Sequence, residues 1–175
     1  PYKFYQFWMN AEDQAVEKLL KLFTFLSLEE IEEIMESQRK SPELRKAQKR
    51  LALEVTTIVH GEESARTAER VSRILFGDSF EPRDLSLDIL EMLAAETPGG
   101  MASRSFPASL ADLLVSTGAC PSKSEVRRLI RGGGLYVNGV KIPDEDASVS
   151  EDALLGGKFL FVRLGKKRVF MIQFE

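Results

Sequence analysis

The chain has 175 residues, room for one domain or two small ones, and its 43% hydrophobic and 29% charged residues are the ordinary balance of a globular protein. No apolar run approaches the ~20 residues of a membrane span, the first residues do not read as a secretory leader, and a single cysteine, Cys120, excludes an intrachain disulfide and points to a reducing compartment. The net charge of −3 argues against a uniformly basic nucleic-acid binder, but residues 1–100 hold 13 Lys and Arg against 19 Asp and Glu (−6), while residues 101–175 hold 11 against 8 (+3), which suggests a cationic module after a more acidic one.

Taken in order, PYKFYQFWMN (1–10) packs five aromatics into ten positions and reads as a short helix at an interface, with Phe4, Phe7 and Trp8 at helical spacing as a buried seam. Asp13 to Leu26 reads as a second helix. Ser27 caps a third, with Glu30 completing a capping box. Ser41-Pro42 starts a fourth that runs to His60 and stops at Gly61. Glu62 to Leu75 and Ser86 to Ala95 are the fifth and sixth. No alternating strand pattern occurs before residue 100, so this part is expected to be all-helical. Thr97 to Arg104, TPGGMASR, sustains neither period and reads as a mobile linker. The expected organisation is therefore α+β: an all-helical domain over 1–96, a linker over 97–105, and a small α+β domain over 106–175.

The most informative stretch is SKSEVRRLIRGGGLYVNGVKI, Ser122 to Ile142. Ser122 and Glu125 are placed for a capping box. Lys123, Arg127 and Arg131 recur at steps of four and share a face with Arg128 beside them, while Val126, Leu129 and Ile130 fall opposite. Gly132 to Gly134 stop the helix, and Asn138-Gly139 joins two short strands as a hairpin. The cations are opposed only by Glu125 within this stretch. Such a face suits nucleic-acid phosphates; a merely solvated charged face is the alternative. Further on, Asp144 to Asp152 reads as an acidic loop, and strands at 158–164 and 168–174 flank a turn where Arg163, Lys166, Lys167 and Arg168 form a second basic patch.

Nothing in the chain amounts to a catalytic constellation. His60, the only histidine, has no Cys or His cluster near it in sequence and reads as a helix-end residue. The glycine run follows a helix instead of opening one, so it is a poor phosphate loop. Cys120 reads as a small buried side chain. No metal site is expected.

The helix–glycine–hairpin order of SKSEVRRLIRGGGLYVNG resembles the alpha-L RNA-binding motif, the "S-four" domain. PYKFYQFWMNAED, KLFTFLSLEEIEEI and AQKRLALEVTTIVHGEE, in that order before it, resemble the C-terminal half of bacterial-type tyrosyl-tRNA synthetases. The resemblance covers essentially the whole chain. It implies a helical domain that contacts the anticodon arm of tyrosine tRNA and an alpha-L domain that contacts its long variable arm. The parent ligase would activate tyrosine with ATP and attach it to tRNA(Tyr). Neither a Lys-Met-Ser-Lys-Ser loop nor a His-Ile-Gly-His-type motif is present, so a fragment that lacks the catalytic half, holds no ATP, tyrosine or metal of its own, and does no chemistry is expected; the start at Pro1 accords with that. The RNA-binding positions implied are Lys123, Arg127, Arg128, Arg131, Arg163, Lys166, Lys167 and Arg168, with Asp13 as the acid that reads the wobble base. Ser124 stands where some relatives carry a cation. A homodimer through the absent half, a monomer for this part, and a bacterial cytoplasmic location follow from the resemblance, with mitochondrion or plastid as alternatives. A stand-alone RNA-binding protein, ribosome- or intron-associated, and a non-RNA helical scaffold are the competing readings.

Overall fold

Ser27 shows most directly how local chemistry sets an element here. Its Oγ accepts the Glu30 backbone N–H at 3.2 Å, and its own N–H donates to Glu30 Oε2 at 2.8 Å, so two donors that a helix start leaves orphaned are both satisfied. The computed structural model describes residues 1–76, 85–166 and 168–175, and the chain divides into two compact units, Pro1–Arg73 and Ile74–Glu175.

The first unit is helical. Its helices are α1 (Tyr2–Met9), α2 (Val16–Phe23), α3 (Leu28–Lys40), α4 (Lys46–His60) and the body of α5 (Glu62–Phe76). α4 is the hub, packing against α1, α2 and α3. Ala47, Leu51 and Val55, one face of α4, meet Val16, Leu20 and Ile31 in a core, each buried aliphatic side chain contributing about 1.5–3 kcal/mol. Three expectations change. Proline at 42 starts only a single 3-10 turn, Pro42–Leu44, and α4 begins at Lys46, where the buried Gln38 side chain accepts the Ala47 N–H at 3.1 Å in place of a local cap. Asp13 lies in the turn before α2 instead of within a helix. In α1, Phe4 and Trp8 of the expected seam do pack, partly buried, against this core, but Phe7 is 69% exposed and the buried aromatics are Tyr2 and Tyr5.

The second unit is α+β. After α6 (Leu87–Glu96) come β1 (Gly99–Ala102), β2 (Ala108–Ser109), α7 (Leu110–Ser116), α8 (Lys123–Arg131), β3 (Leu135–Val137), β4 (Val140–Lys141), β5 (Ser148–Val149), β6 (Phe159–Leu164) and β7 (Arg168–Phe174). The main sheet runs β1-β7-β6-β3-β4, with β1 parallel to β7 and the other pairs antiparallel; β2 and β5 form a small separate ladder. Leu160, Val162 and Leu164 of β6 and Phe170, Ile172 and Phe174 of β7 join Leu110, Leu114, Val126 and Ile130 of α7 and α8 in one core. Strand alternation sends Phe159, Phe161 and Met171 to the other face, where they are also buried and where α6 packs on β7. Covering both faces explains why β6 is a near-continuous apolar run.

The linker expected at 97–105 is corrected: Gly99–Ala102 is a paired strand, with Gly99 opposite Met171, and the break between units falls at Arg73/Ile74 instead of near residue 96. The glycines serve close approach. A Cβ on Gly99 would lie 2.8 Å from the Met171 carbonyl oxygen, and one on Gly100 would lie 2.5 Å from the Thr117 carbonyl oxygen. The expected acidic loop likewise contains β5 and a 3-10 turn at Glu151–Ala153. Gly100→Ala is therefore expected to destabilise the second unit by about 1–3 kcal/mol through overpacking, read by urea denaturation; an unchanged midpoint would show that β1 does not pack where it is placed.

Candidate nucleic-acid interface

α8 is held at both ends by the devices its sequence offers. Ser122 Oγ accepts the Glu125 N–H at 3.2 Å. At the other end Gly134 N–H donates to the Leu129 carbonyl (2.8 Å) and Gly133 N–H to the Ile130 carbonyl (2.9 Å), with Gly133 at φ 65°, the Schellman pattern that requires a left-handed residue. The hairpin follows at once. Asn138 and Gly139 both have positive φ, as a type I′ turn demands, and the Asn138 side chain locks it, Nδ2 donating to the Ala153 carbonyl (2.7 Å) and Oδ1 accepting the Phe161 N–H (3.0 Å).

This arrangement carries the end of α8 to the β6–β7 turn. β3 pairs with β6 so that Leu135 lies opposite Leu164, and the Gly165 N–H donates to the Gly134 carbonyl at 2.7 Å. Arg168 Nη2 donates to the Ala119 carbonyl at 2.8 Å, in the turn between α7 and α8. Lys123, Arg127, Arg128 and Arg131 on α8, with Lys166 and Arg168 at the turn, are thereby brought to one region of the second unit, and all six are exposed. Lys167 lies outside the described residues. Lys141, not singled out from sequence, adjoins the same region: a Cβ on Gly133 would sit 2.6 Å from its Nζ.

Arg163 is separated from them. It alternates with Val162 and Leu164, which face α7 and α8, so it projects from the opposite face of the sheet, and its Nη2 donates to the Ile74 carbonyl at 3.2 Å. Its assignment to the basic patch is corrected on that ground.

The cations are also more opposed than the local sequence suggests. Lys123 pairs with Asp112 of α7. Arg131 makes a two-pronged pair with Glu145, 2.5 Å and 3.1 Å, and Arg127 reaches the same carboxylate at 3.8 Å. Glu125 does not complete a capping box; its Oε2 takes Arg128 at 3.0 Å. The hydrogen bond from Arg131 holds the Glu145 carboxyl below its ordinary range, and that from Lys123 does the same for Asp112. Since these acid pKa values are lowered, the pairs persist at neutral pH and are lost only as pH falls through the lowered values. The four α8 cations keep side-chain exposures of 50–76% in these pairs, so water screens each attraction and a phosphate can replace the carboxylate at little cost.

Asp13 belongs to the first unit and to a different kind of site. It is exposed in the α1–α2 turn, and its Oδ1 accepts Nε2 of the fully buried Gln48 at 2.5 Å. Asn10 to Gln14, Pro42, Glu43 and Arg45 line an open hollow of about 630 Å³ around it. Elsewhere, His60 ends α4 with its ring 5.1 Å from that of Phe4, and Cys120 is buried, which pushes its thiol pKa up. Among the described residues no group of His, Cys, Asp and Glu could hold a metal ion, and no helix is long and apolar enough to cross a membrane.

Comparison with known families agrees with these two parts. Residues 1–77 match the class I (W and Y) tRNA synthetase model, and residues 90–172 match the tyrosine–tRNA ligase SYY-like C-terminal domain. The chain belongs to the tyrosyl-tRNA synthetase family. Tyrosine–tRNA ligases of Anaeromyxobacter dehalogenans and Geobacillus stearothermophilus are each 44% identical to it, over 175 and 182 residues, covering 99% of this chain and 41% of their own length. That of Thermobifida fusca is 44% identical over 172 residues, covering 97% and 39%. The chain thus spans about 41% of the first of these synthetases. Within this synthetase chain Glu145 is the carboxylate that most occupies the basic helix. Glu145→Gln is expected to raise affinity for a short RNA stem severalfold at neutral pH, measured by fluorescence anisotropy; weaker binding would show that Glu145 organises the arginines instead of competing with RNA for them.

Proposed function

We propose that this chain is the tRNA-holding part of a tyrosine–tRNA ligase, contacting the anticodon arm with its helical unit and the long variable arm of tRNA(Tyr) with its α+β unit. The observation that carries the reading is the Gly165–Gly134 hydrogen bond, which joins the end of the basic helix to the basic turn. Lys123, Arg127, Arg128 and Arg131, with Lys166, Lys167 and Arg168, bind backbone phosphates. They exchange their carboxylate partners for phosphate and release condensed counterions from the RNA. Such contacts set position and not sequence. Base discrimination falls to the first unit, where Asp13 reads the wobble base in the open hollow.

Activation of tyrosine with ATP and its transfer to tRNA belong to the part of the family that this chain does not span. The chain itself needs no ATP, tyrosine or metal to bind RNA, does no chemistry, acts as a monomer, and works in the cytoplasm. Removing cations from this one surface tests the assignment directly. Arg127→Ala with Lys166→Ala should weaken binding of tRNA(Tyr) and reduce the slope of log affinity against log salt by about 0.7–0.9 for each phosphate no longer neutralised. Filter binding across a salt series reads both quantities, and a double variant with unaltered affinity and slope removes the basis for the proposal.

A further inference from the structure

We infer that Gln48 is a positioning residue: it orients the Asp13 carboxylate so that one oxygen is free to accept an N–H from an unpaired nucleobase. This rests on the reading of the first unit as an anticodon-arm binder and adds to it the device that gives the acid its direction.

Asp13 by itself would need no such device. An exposed carboxylate on a turn is well solvated, and holding it still costs side-chain entropy. Gln48 nevertheless commits its amide to it. Gln48 lies in the first turn of α4, is fully buried, and reaches across 35 positions of sequence to Asp13 Oδ1 at 2.5 Å. The same Nε2 lies 3.4 Å from the Ala11 carbonyl, which also accepts Arg45 Nη2 at 3.1 Å. The amide cannot be turned round, because Oε1 would then face both the carboxylate and the carbonyl. Gln48 Oε1 and Arg45 Nε are instead buried without hydrogen-bond partners, and Arg45 holds a left-handed backbone, φ 50° and ψ 42°. Unpartnered buried polar atoms and a left-handed non-glycine residue together mark a place where local stability is given up for a fixed arrangement.

No other partner of the Asp13 carboxylate occurs among the described residues, so one oxygen is tied and the other is left over in a residue that lines the hollow. A carboxylate so fixed accepts one donor from one direction. A base that presents an N–H there is bound; a base that presents a carbonyl or ring nitrogen sets two acceptors against each other and is rejected. The hollow is open enough for a base splayed from a loop, which is how single-stranded RNA is read.

The test uses the whole chain and four anticodon-arm hairpins identical except for the first anticodon base. The wild type should prefer guanine or uracil, whose central Watson–Crick ring nitrogen carries a hydrogen, over adenine or cytosine, where that nitrogen is an acceptor. Gln48→Met keeps the side-chain length and removes the donor. It should lower that preference about tenfold, the effect of one misdirected hydrogen bond, while the salt slope stays unchanged. Asp13→Ala should abolish the preference, and adding Gln48→Met to it should change nothing more. If Asp13→Ala leaves the preference intact, base reading at this site is wrong and the inference falls with it. If Asp13→Ala removes the preference and Gln48→Met keeps it, the anticodon reading stands and Gln48 is only a strut between the turn and α4. Should Gln48→Met fail to fold, the wild type still decides. The Gln48 side-chain amide resonance should move on binding the preferred hairpin and not on binding the disfavoured ones, and an identical response to all four overturns the inference.

Discussion

One backbone hydrogen bond, from Gly165 N–H to the Gly134 carbonyl at 2.7 Å, organises the second unit's chemistry. It is the last rung of the β3–β6 ladder, and its two glycines sit at the two places where cations accumulate. On one side is the Schellman stop of α8; on the other is the β6–β7 turn. How far the helix and the turn lie apart in sequence has no bearing on whether their cations meet. What decides it is the register that sets Leu135 opposite Leu164, since a slip by one residue would turn each strand's side chains to the wrong face.

The electrostatics of that surface are those of a site held ready and not one left bare. Asp112, Glu125 and Glu145 each occupy a guanidinium or ammonium, but in water-exposed pairs whose attraction is weak. Internal carboxylates of this kind keep like charges on α8 from repelling one another in the free protein.

The helices and the type I′ hairpin were legible because their signals are local. Ser27 with Glu30, Ser122, the glycines at 132–134 and Asn138-Gly139 each act within a few residues of themselves. Three features were not legible, for reasons that can be stated. Arg163 lies in a strand buried on both faces, so Phe159 and Phe161 are as apolar as Leu160 and Val162, and the alternation that would reveal its face is erased. Glu145 and Asp112 reach α8 from elsewhere in the chain, and no spacing rule connects them to it. β1 contains two glycines because the backbone of Met171 and Thr117 comes too close for a side chain, and that same absence of side chains removes any periodicity. The Asp13 site was legible only as an acid at a resemblance-implied position; Gln48, buried on the inner face of α4, looked like an ordinary polar residue in a helix.

The edge strand β1 has a consequence for how this unit comes into being. Gly99 pairs with Met171 and Ala102 with Phe174, so the unit's first strand has no partner until its last has emerged. α7, α8 and the Asn138 hairpin can form from neighbours as they leave the ribosome, but the sheet closes only when synthesis has passed residue 174. A chain stopped before residue 168 would have its basic helix made and its sheet unfinished.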